Sequence, residues 1–277
     1  MSHEFIKLTK SSIFMLAVMG ATLAPPSADA GSAPGSNPDV INVGSKLERF
    51  DLLKPATRLY LRYKIGKDGS RATMDIWRRT ISYEERDGRQ LLHIVQRWDG
   101  VVPPTYTLLQ DSWFEPKTFR PLTHDRQLTR DGKTIKRHYQ YFDDHILLGP
   151  DPNVEGAKET VVSSPEPAYN FETDIEIFQT LPLAQGYEAS LNFYDPGQAP
   201  PKRYIFKVTG DETINTADGR QVPCWVLSSD YGDPKGPVAR FWFAKSTQVL
   251  MREQTRLLDG SILVKTLLTE EASDLSN

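Results

Sequence analysis

Residues 240–268 read RFWFAKSTQVLMREQTRLLDGSILVKTLL, and this stretch predicts three antiparallel β-strands joined by two tight turns. The dipeptide Asp259-Gly260 tolerates the positive φ values of a two-residue hairpin loop, so it predicts the second turn. With that turn, the expected cross-strand pairs are Leu257 with Ile262, Thr255 with Val264, Glu253 with Thr266 and Met251 with Leu268.

This register gives the hairpins two different faces. One face is mostly apolar and includes Phe241 and Phe243. The other mixes long cationic side chains with large apolar ones, because successive residues of a strand point to opposite sides. Its expected members are Arg240, Trp242, Leu250, Arg252, Gln254, Arg256, Leu263, Lys265 and Leu267.

The same kind of turn recurs along the chain. Asp-Gly occurs at 68–69, 87–88, 99–100, 131–132, 218–219 and 259–260, mostly between segments rich in β-branched and aromatic residues. Such spacing is typical of an antiparallel meander. The sequence therefore predicts a mainly β protein.

Three of these features repeat in order. Residues 87–91 (DGRQL) match 218–222 (DGRQV), Trp113-Phe114 matches Trp242-Phe243, and 131–132 matches 259–260, with offsets of 131, 129 and 128 residues. We interpret them as two related halves, 55–148 and 186–268, each with six strands. The alternative is that unrelated hairpins converge, since hairpins use few turn types.

The twelve predicted strands have the following bounds. In the first half they are 58–65, 71–82, 89–98, 105–114, 118–130 and 133–142, and in the second half they are 187–194, 202–214, 220–229, 238–243, 248–258 and 261–268.

The segment 149–185 between the halves predicts a linker, a short edge strand at 159–163 and then one helix. Asn170 is a suitable N-cap, and Pro182 ends the helix. The apolar side chains of Phe171, Ile175 and Phe178 form one stripe, which predicts packing of this helix against the sheet.

The first thirty residues predict an export signal. Lys7 and Lys10 precede an apolar segment from Ile13 to Leu23, and Ala28-Asp29-Ala30 fits a signal-peptidase site with cleavage after Ala30. The apolar segment is too short for a spanning helix. The predicted divisions are a signal peptide (1–30), a flexible mature terminus (31–54), one domain (55–268) and a polar tail (269–277).

Charge and composition exclude several partners and cofactors. The net charge is −3, so the chain lacks the basic surface that a nucleic-acid partner needs. Its single cysteine, Cys224, lies in an apolar strand and is expected to be buried. The histidines show no metal-ligand spacing, and no nucleophile or phosphate motif is present. We expect no metal, no cofactor and no catalytic residues, with a hydrolase as a less favoured alternative.

Aromatic residues are the main candidates for a binding site, although each could instead fill the core. A curved sheet of this size encloses more space than one helix fills, and an apolar ligand could occupy the rest. Three groups are predicted to contact it: the mixed face of the hairpins, the helix stripe and strand tryptophans. The residues are Trp242, Leu250, Leu267, Arg240, Arg252, Phe171, Ile175, Phe178, Trp77, Trp98 and Trp225.

The pattern RFWFxxxTxxxLxRE at 240–253, with the helix and LPLAQGY at 181–187, resembles a family of exported Gram-negative proteins defined as a domain of unknown function. That family is grouped with the periplasmic lipoprotein-carrier (LolA/LolB-like) superfamily. The resemblance implies a half-barrel, a curved antiparallel sheet of about eleven strands wrapping one or more helices, whose concave face holds acyl chains or other lipids.

Together these observations predict a curved antiparallel half-barrel of about twelve strands with one central helix. The expected function is non-enzymatic binding or carriage of an apolar or amphipathic ligand in the periplasm, in a soluble form with no transmembrane segment after signal cleavage. Two alternatives remain: a structural or protein-interaction module with an envelope partner and no small ligand, or an outer-membrane barrel, which the scattered charges of the strands disfavour.

Overall fold

The structure is a computed structural model that describes residues 37–197 and 200–272. The predicted signal peptide and its cleavage site lie outside these residues. In the described part of the chain, no helix has the length and apolar character needed to cross a membrane.

The strands of the described residues are β1 (Asp39–Ile41), β2 (Ala56–Ile65), β3 (Arg71–Arg86), β4 (Arg89–Gly100), β5 (Tyr106–Phe114), β6 (Pro121–Arg130), β7 (Lys133–Tyr141), β8 (His145–Leu148), β9 (Thr160–Ser163), β10 (Tyr169–Asn170), β11 (Glu188–Tyr194), β12 (Lys202–Asn215), β13 (Gln221–Ser229), β14 (Ala239–Ala244), β15 (Leu250–Arg256) and β16 (Ile262–Ala272). The helix α1 spans Asp174–Gln179.

All of these strands belong to one sheet that consists of two meanders. Strands β2 to β9 pair in chain order, as do β11 to β16, and the antiparallel pair β16·β2 joins the two series. Strands β1 and β10 both pair in parallel with the outer edge of β11. The prediction of a mainly β fold built on antiparallel strands is confirmed, and each of the twelve predicted strands and the predicted edge strand has its counterpart. The sequence did not predict β1, β8 and β10.

The sheet curls until its two ends almost meet. Strands β7 and β11 lie near opposite ends of the strand order, yet the rings of Tyr139 and Tyr194 are 6.1 Å apart. The segment after β9 fills the gap, since Asn192 Nδ2 donates to the carbonyl of Pro167 at 3.1 Å and Arg203 Nε donates to Glu166 at 2.7 Å. The sheet is therefore barrel-like but unclosed: side chains and a loop bridge its edges.

The helix α1 lies inside this barrel, as predicted for a central helix. All six of its residues are buried. It is shorter than the sequence predicts, because Asn170 caps a preceding 3-10 turn, Phe171–Thr173, by accepting a hydrogen bond from the Glu172 N–H at 3.1 Å.

The two sides of α1 contact different halves of the barrel. Phe178 packs on second-half aromatics, with ring distances of 4.4 Å to Phe206 and 5.4 Å to Phe241. On the opposite side, Glu176 accepts a hydrogen bond from Arg79 Nε at 2.7 Å on the first half. The helix thus has no solvated face, and its polar side is matched by polar groups of the sheet.

The predicted register of the last hairpin is wrong by one residue. Arg256 pairs with Ile262 and Glu253 pairs with Lys265. Only Gly260 of the turn dipeptide has a positive φ, 77°, and the Asp259 carboxylate accepts a hydrogen bond from the Ser261 N–H at 2.9 Å. The loop therefore contains three residues, a type I turn closed by a left-handed glycine, which sequence alone did not separate from the two-residue form.

This shift changes the faces of β15 and β16. Glu253 and Lys265 lie on the inner face and are buried, whereas Trp242 and Met251 form a small outer cluster. A bulge in the β14·β15 ladder at Trp242-Phe243 returns Leu250 to the inner side, where it joins the main core. The predicted mixed face is thus divided between the two sides of the sheet.

The Trp-Phe repeat has the same local geometry in both copies. The ladder has a bulge at Trp113-Phe114 and another at Trp242-Phe243. In the two following turns, Phe119 (φ 54°) and Gln248 (φ 52°) occupy equivalent left-handed positions. The two related halves remain a prediction, which this shared turn supports.

Residues before and after the predicted domain also pack on the sheet. Leu47, Phe50 and Leu53 are buried in the main core, although the sequence assigns 31–54 to a flexible terminus. Residues 269–272 of the predicted polar tail pair with β2.

Candidate functional site

Three rows of inward-facing side chains cross the first half of the barrel. The helix-side and apolar rows follow register partners from strand to strand, so their members are neighbours across the sheet. In the far row, the partner of Asp75 on β4 is Gly100, and Tyr106 comes from the next strand. The helix-side row contains Arg58, Arg79, Gln96, Gln110, Arg126 and Arg137, the apolar row contains Tyr60, Trp77, Trp98, Leu108, Leu128 and Ile135, and the far row contains Lys265, Arg62, Asp75, Tyr106 and Arg130.

Aromatic rings form the start of the apolar row. Trp77 and Trp98 are stacked, with centroids 5.0 Å apart and an interplanar angle of 13°, and Tyr60 lies 5.3 Å from Trp77. The Arg79 guanidinium lies 4.4 Å above the Trp77 ring. Because cations are attracted to ring faces, the polar rows contact this row favourably on either side.

The helix-side row is fully hydrogen-bonded where it meets α1. Gln96 accepts a hydrogen bond from Arg79 Nη1 at 2.7 Å, and its Nε2 donates to the Glu172 carbonyl at 2.7 Å. With the Arg79–Glu176 pair, these bonds fix the helix on β3 and β4. A buried charge is tolerated only when it is paired in this way.

The far row is also paired near the centre of the barrel. Arg62 Nε donates to Asp75 at 2.6 Å, and the Tyr106 hydroxyl donates to the same carboxylate. Lys265 Nζ donates to Glu253 at 2.5 and 2.6 Å. Burial raises the pKa of Tyr106 to about 12, so this hydroxyl keeps its proton at neutral pH.

A glycine allows Tyr106 to reach Asp75. A Cβ on Gly100 would lie 2.5 Å from the Tyr106 ring. The ring therefore lies directly over the backbone of β4, in the space that a side chain would otherwise fill. The Arg130 guanidinium lies over the same ring, with its Cζ 5.4 Å from the Tyr106 centroid.

Beyond the helix, inner side chains become partly exposed. Leu128, Ile135 and Arg130 are half-buried, in contrast to the fully buried tryptophans of β3 and β4. We call this region the concave surface: the inner side chains of β5, β6 and β7 with the adjoining tryptophan of β4. Its residues are Trp98, Tyr106, Leu108, Gln110, Arg126, Leu128, Arg130 and Ile135.

Several buried polar atoms of the concave surface lack a hydrogen-bond partner within the described residues. They are Trp98 Nε1, both amide atoms of Gln110, Arg126 Nε and Arg130 Nε. Gln110 is 1% exposed. Most buried polar groups in proteins are satisfied, so such a cluster requires an explanation, and water or a ligand is the usual one. Four of these five atoms are donors.

A buried serine and histidine adjoin the concave surface. Ser112 Oγ and His124 Nδ1 are 2.8 Å apart, and both residues are fully buried. Burial lowers the pKa of His124 to about 4, although the charge on Glu172 opposes this effect. A serine and a weakly basic histidine without exposure are poorly placed to act as a nucleophile and its base.

A second histidine lies on the outer face of the barrel. The two ring nitrogens of His93 contact Glu84 at 2.8 Å and Asp111 at 3.0 Å, and the ring stacks on Trp113 at 3.9 Å. Burial lowers the pKa of His93, but its hydrogen bonds to Asp111 and Glu84 outweigh burial, so the pKa is raised. Among residues 37–197 and 200–272, no group of three or more His, Cys, Asp or Glu side chains is arranged so that it could hold a metal ion.

The structure does not gather the sequence-predicted binding residues into one site. Trp242, Arg240 and Arg252 lie on the outer face, where Trp242 Nε1 donates to Glu212 at 2.9 Å. Phe171, Ile175 and Phe178 pack in the second half of the barrel, together with Leu250 and the partly buried Trp225. Leu267 lies between the main core and the outer cluster. Only Trp77 and Trp98 belong to the rows described above.

Sequence reasoning missed the polar members of the concave surface. The alternation of Tyr106, Leu108 and Gln110 on β5, and of Arg126, Leu128 and Arg130 on β6, shows which residues share a face. It does not show which face is concave. The alternation on β5 and β6 identifies the site only when it is combined with the curvature of the sheet.

Comparison with known proteins agrees with the fold. The family profile described as "Protein of unknown function (DUF3108)" matches residues 59–269. A crystal structure of a beta-barrel-like protein of domain of unknown function DUF1849 from Brucella abortus is similar, with a TM-score of 0.52 and 10% sequence identity over 80% of this chain and 99% of that one. The comparison with curated proteins finds no matching relative. The expected link to a domain-of-unknown-function family is confirmed, and the link to the lipoprotein carriers remains a prediction.

Proposed function

Since the chain belongs to the DUF3108 family of proteins of unknown function, we propose that it is a non-enzymatic binding protein for an amphipathic, lipid-like ligand held on the concave surface. One observation carries this proposal: the apolar row continues onto half-buried positions at Leu128 and Ile135, between arginines on both sides.

The arrangement suits an elongated molecule with an apolar chain. Trp98, Leu108, Leu128 and Ile135 form a continuous apolar strip across four strands, long enough to contact several methylenes. The charged neighbours at Arg126 and Arg130 favour a polar group at the end of that chain. Apolar pockets with a few placed polar groups are the usual form of a ligand site.

Among the residues that the structure describes, such a surface lies in the first half of the barrel. In the second half, Phe178 and the surrounding phenylalanines fill the interior. The concave surface lies outside that packing, on the polar side of α1. This division supports one binding region on the first half, beside the helix, rather than one spread over the whole barrel.

We place the protein in the periplasm, because the sequence predicts an export signal cleaved after Ala30. The predicted resemblance to the periplasmic lipoprotein carriers is consistent with this location and with an acyl chain as the apolar part of the ligand. A role in carriage between membranes is part of the same proposal.

Native mass spectrometry of the purified protein, followed by organic extraction, tests the proposal. We expect co-purified amphiphiles, or uptake of a fluorescent fatty acid after extraction. The variant Leu128→Glu should abolish uptake, since it places a carboxylate on the apolar strip. Gln127→Glu is the matched control, because Gln127 is the next residue and lies on the outer face.

The proposal would be refuted if the folded protein yields no lipid on extraction and takes up no fluorescent fatty acid. That result would favour the alternative of an envelope interaction module without a small ligand. Equal uptake by Leu128→Glu and Gln127→Glu would also place any binding elsewhere on the molecule.

A further inference from the structure

We infer that the ligand carries an anionic headgroup that also donates a hydrogen bond, held by Gln110 and Arg126. This inference rests on the proposed function and specifies the chemical class of the ligand. It starts from the unpaired polar atoms of the concave surface, which apolar contacts alone would leave unsatisfied.

Gln110 is the strongest indication. The residue is only 1% exposed, and neither atom of its side-chain amide has a hydrogen-bond partner within the described ranges. Gln96, its register partner on β4, has the same burial but bonds to Arg79 and the Glu172 carbonyl. The two positions differ only in what faces them, so Gln110 is the one available to a ligand.

The arginines near Gln110 differ in their ion pairing, and the buried Glu172 carboxylate acts on the neighbouring His124. Arg137 forms an ion pair with Asp151 at 2.7 Å, and Arg62 is paired with Asp75. Within residues 37–197 and 200–272, Arg126 and Arg130 have no acidic partner, and the Nε of each is buried without a hydrogen bond. Arg126 is the register partner of Gln110 on β6, whereas Trp98 lies opposite Leu108 and Arg130 lies opposite Tyr106, further along the same concave surface. An anion would satisfy these side-chain donors with charge-assisted hydrogen bonds.

The carboxamide of Gln110 adds a second requirement. Its Nε2 needs an acceptor, whereas its Oε1 needs a donor. A simple carboxylate supplies acceptors only. A phosphate monoester next to a hydroxyl, or a carboxylate with an α-hydroxyl, supplies both functions. The shared chemistry is an acidic group with an adjacent O–H, and the chain of the molecule would then follow the apolar strip toward Leu128.

Isothermal titration calorimetry with four single-chain probes, used below their micelle concentrations, tests the headgroup. They are 1-myristoyl lysophosphatidic acid, 2-hydroxymyristate, myristate and 1-monomyristoylglycerol. We expect at least one of the first two to bind about tenfold tighter than both of the others, since a hydrogen bond to a charged group is worth about 1.5 kcal/mol or more. Which one binds tighter identifies the phosphate or the hydroxy acid.

Two variants assign that preference to residues. Gln110→Leu keeps the shape of the side chain and removes both polar atoms, and Arg126→Gln removes the charge. Each should lower the affinity for the preferred probe about tenfold and lower the affinity for monomyristoylglycerol by less, since that probe has no charge. The matched controls are Gln127→Leu and Arg97→Gln on the outer face, where Arg97 pairs with Asp99.

Three outcomes would overturn the inference: equal affinity for all four probes, preserved preference in both variants, or a preference for monomyristoylglycerol. A failure of every probe to bind would instead refute the proposed function itself. Unchanged binding by Gln110→Leu together with a raised melting temperature would show that the carboxamide holds water only.

Discussion

Gln96 and Gln110 are register partners on β4 and β5, and both are buried on the inner face, yet only Gln96 has hydrogen-bond partners within the described residues. The difference follows from the position of α1. The helix and its preceding turn present Glu176 and the Glu172 carbonyl to β3 and β4, and they do not provide such groups to Gln110. Where the helix contacts cease, the concave surface begins.

The first prediction is that these two glutamines respond oppositely to the same substitution. Gln96→Leu leaves Arg79 Nη1 buried without its acceptor, and the Glu172 carbonyl keeps only the 3.5 Å hydrogen bond from Arg79 Nη2, so the free energy of unfolding should fall by about 2 kcal/mol or more. Gln110→Leu removes two unpaired groups and should be neutral or stabilising in the ligand-free protein. Urea denaturation measures both. A larger loss for Gln110→Leu than for Gln96→Leu would contradict the assignment of partners.

Removing one member of the buried Arg79–Glu176 pair should destabilise the protein more than removing both. Both side chains are 1% exposed. Replacing Arg79 with Met should lower the free energy of unfolding by about 3–5 kcal/mol, because Glu176 would remain as an uncompensated buried charge. The double variant Arg79→Met/Glu176→Leu should recover much of this loss. Additive losses in a double-mutant cycle would show that the two residues act independently.

His124 should make the protein sensitive to acid. Its folded pKa of about 4 lies below the ordinary value of 6.5, because burial disfavours the charged ring. Between these values the unfolded chain binds a proton that the folded chain does not, so stability falls as the pH falls through this window. The loss approaches about 3 kcal/mol below pH 4. His124→Asn should remove this component, as measured by denaturation from pH 4 to 7.

His93 should contribute with the opposite sign. Its pKa is raised in the folded state, where Asp111 and Glu84 accept its hydrogen bonds. Its stabilising effect is therefore fully present in acid and is lost as the pH rises through the folded pKa. His93→Asn should cost more stability at pH 5 than at pH 8. An equal cost at both values would show that stacking on Trp113, rather than ionisation, dominates.

Gly100→Ala should disturb the concave surface through Tyr106. The added Cβ would lie 2.5 Å from the ring, so the ring must move away from Asp75 and Arg62. We expect a loss of about 1–3 kcal/mol in the free energy of unfolding, as for other overpacked sites. In a Tyr106→Ser background the same substitution should cost much less. A persistent cost there would assign the effect to the backbone of β4.

The strands and the kind of fold could be predicted from local features of the amino-acid sequence. Asp-Gly turns, alternating side chains and one amphipathic segment near Phe178 were enough to predict a mainly antiparallel β protein with a central helix. These signals are local, since a turn or an alternation depends on a few neighbouring residues. The repeated Trp-Phe turn was also readable, because its geometry depends on the segment that contains it.

Which faces of the strands lie inside the barrel, and where inner side chains remain partly exposed, depend on contacts between distant parts of the chain. One extra residue in the loop at Asp259-Gly260 moved Glu253 and Lys265 together on the inner face, because a single-residue shift changes every cross-strand pair. The hydrogen-bonding of Gln96 and the lack of it at Gln110 depend on the turn before α1, and Glu172 in that turn lies 76 residues after Gln96 in the sequence. No local pattern encodes that contact. The candidate site therefore arises where curvature and the short reach of α1 leave polar groups unpaired.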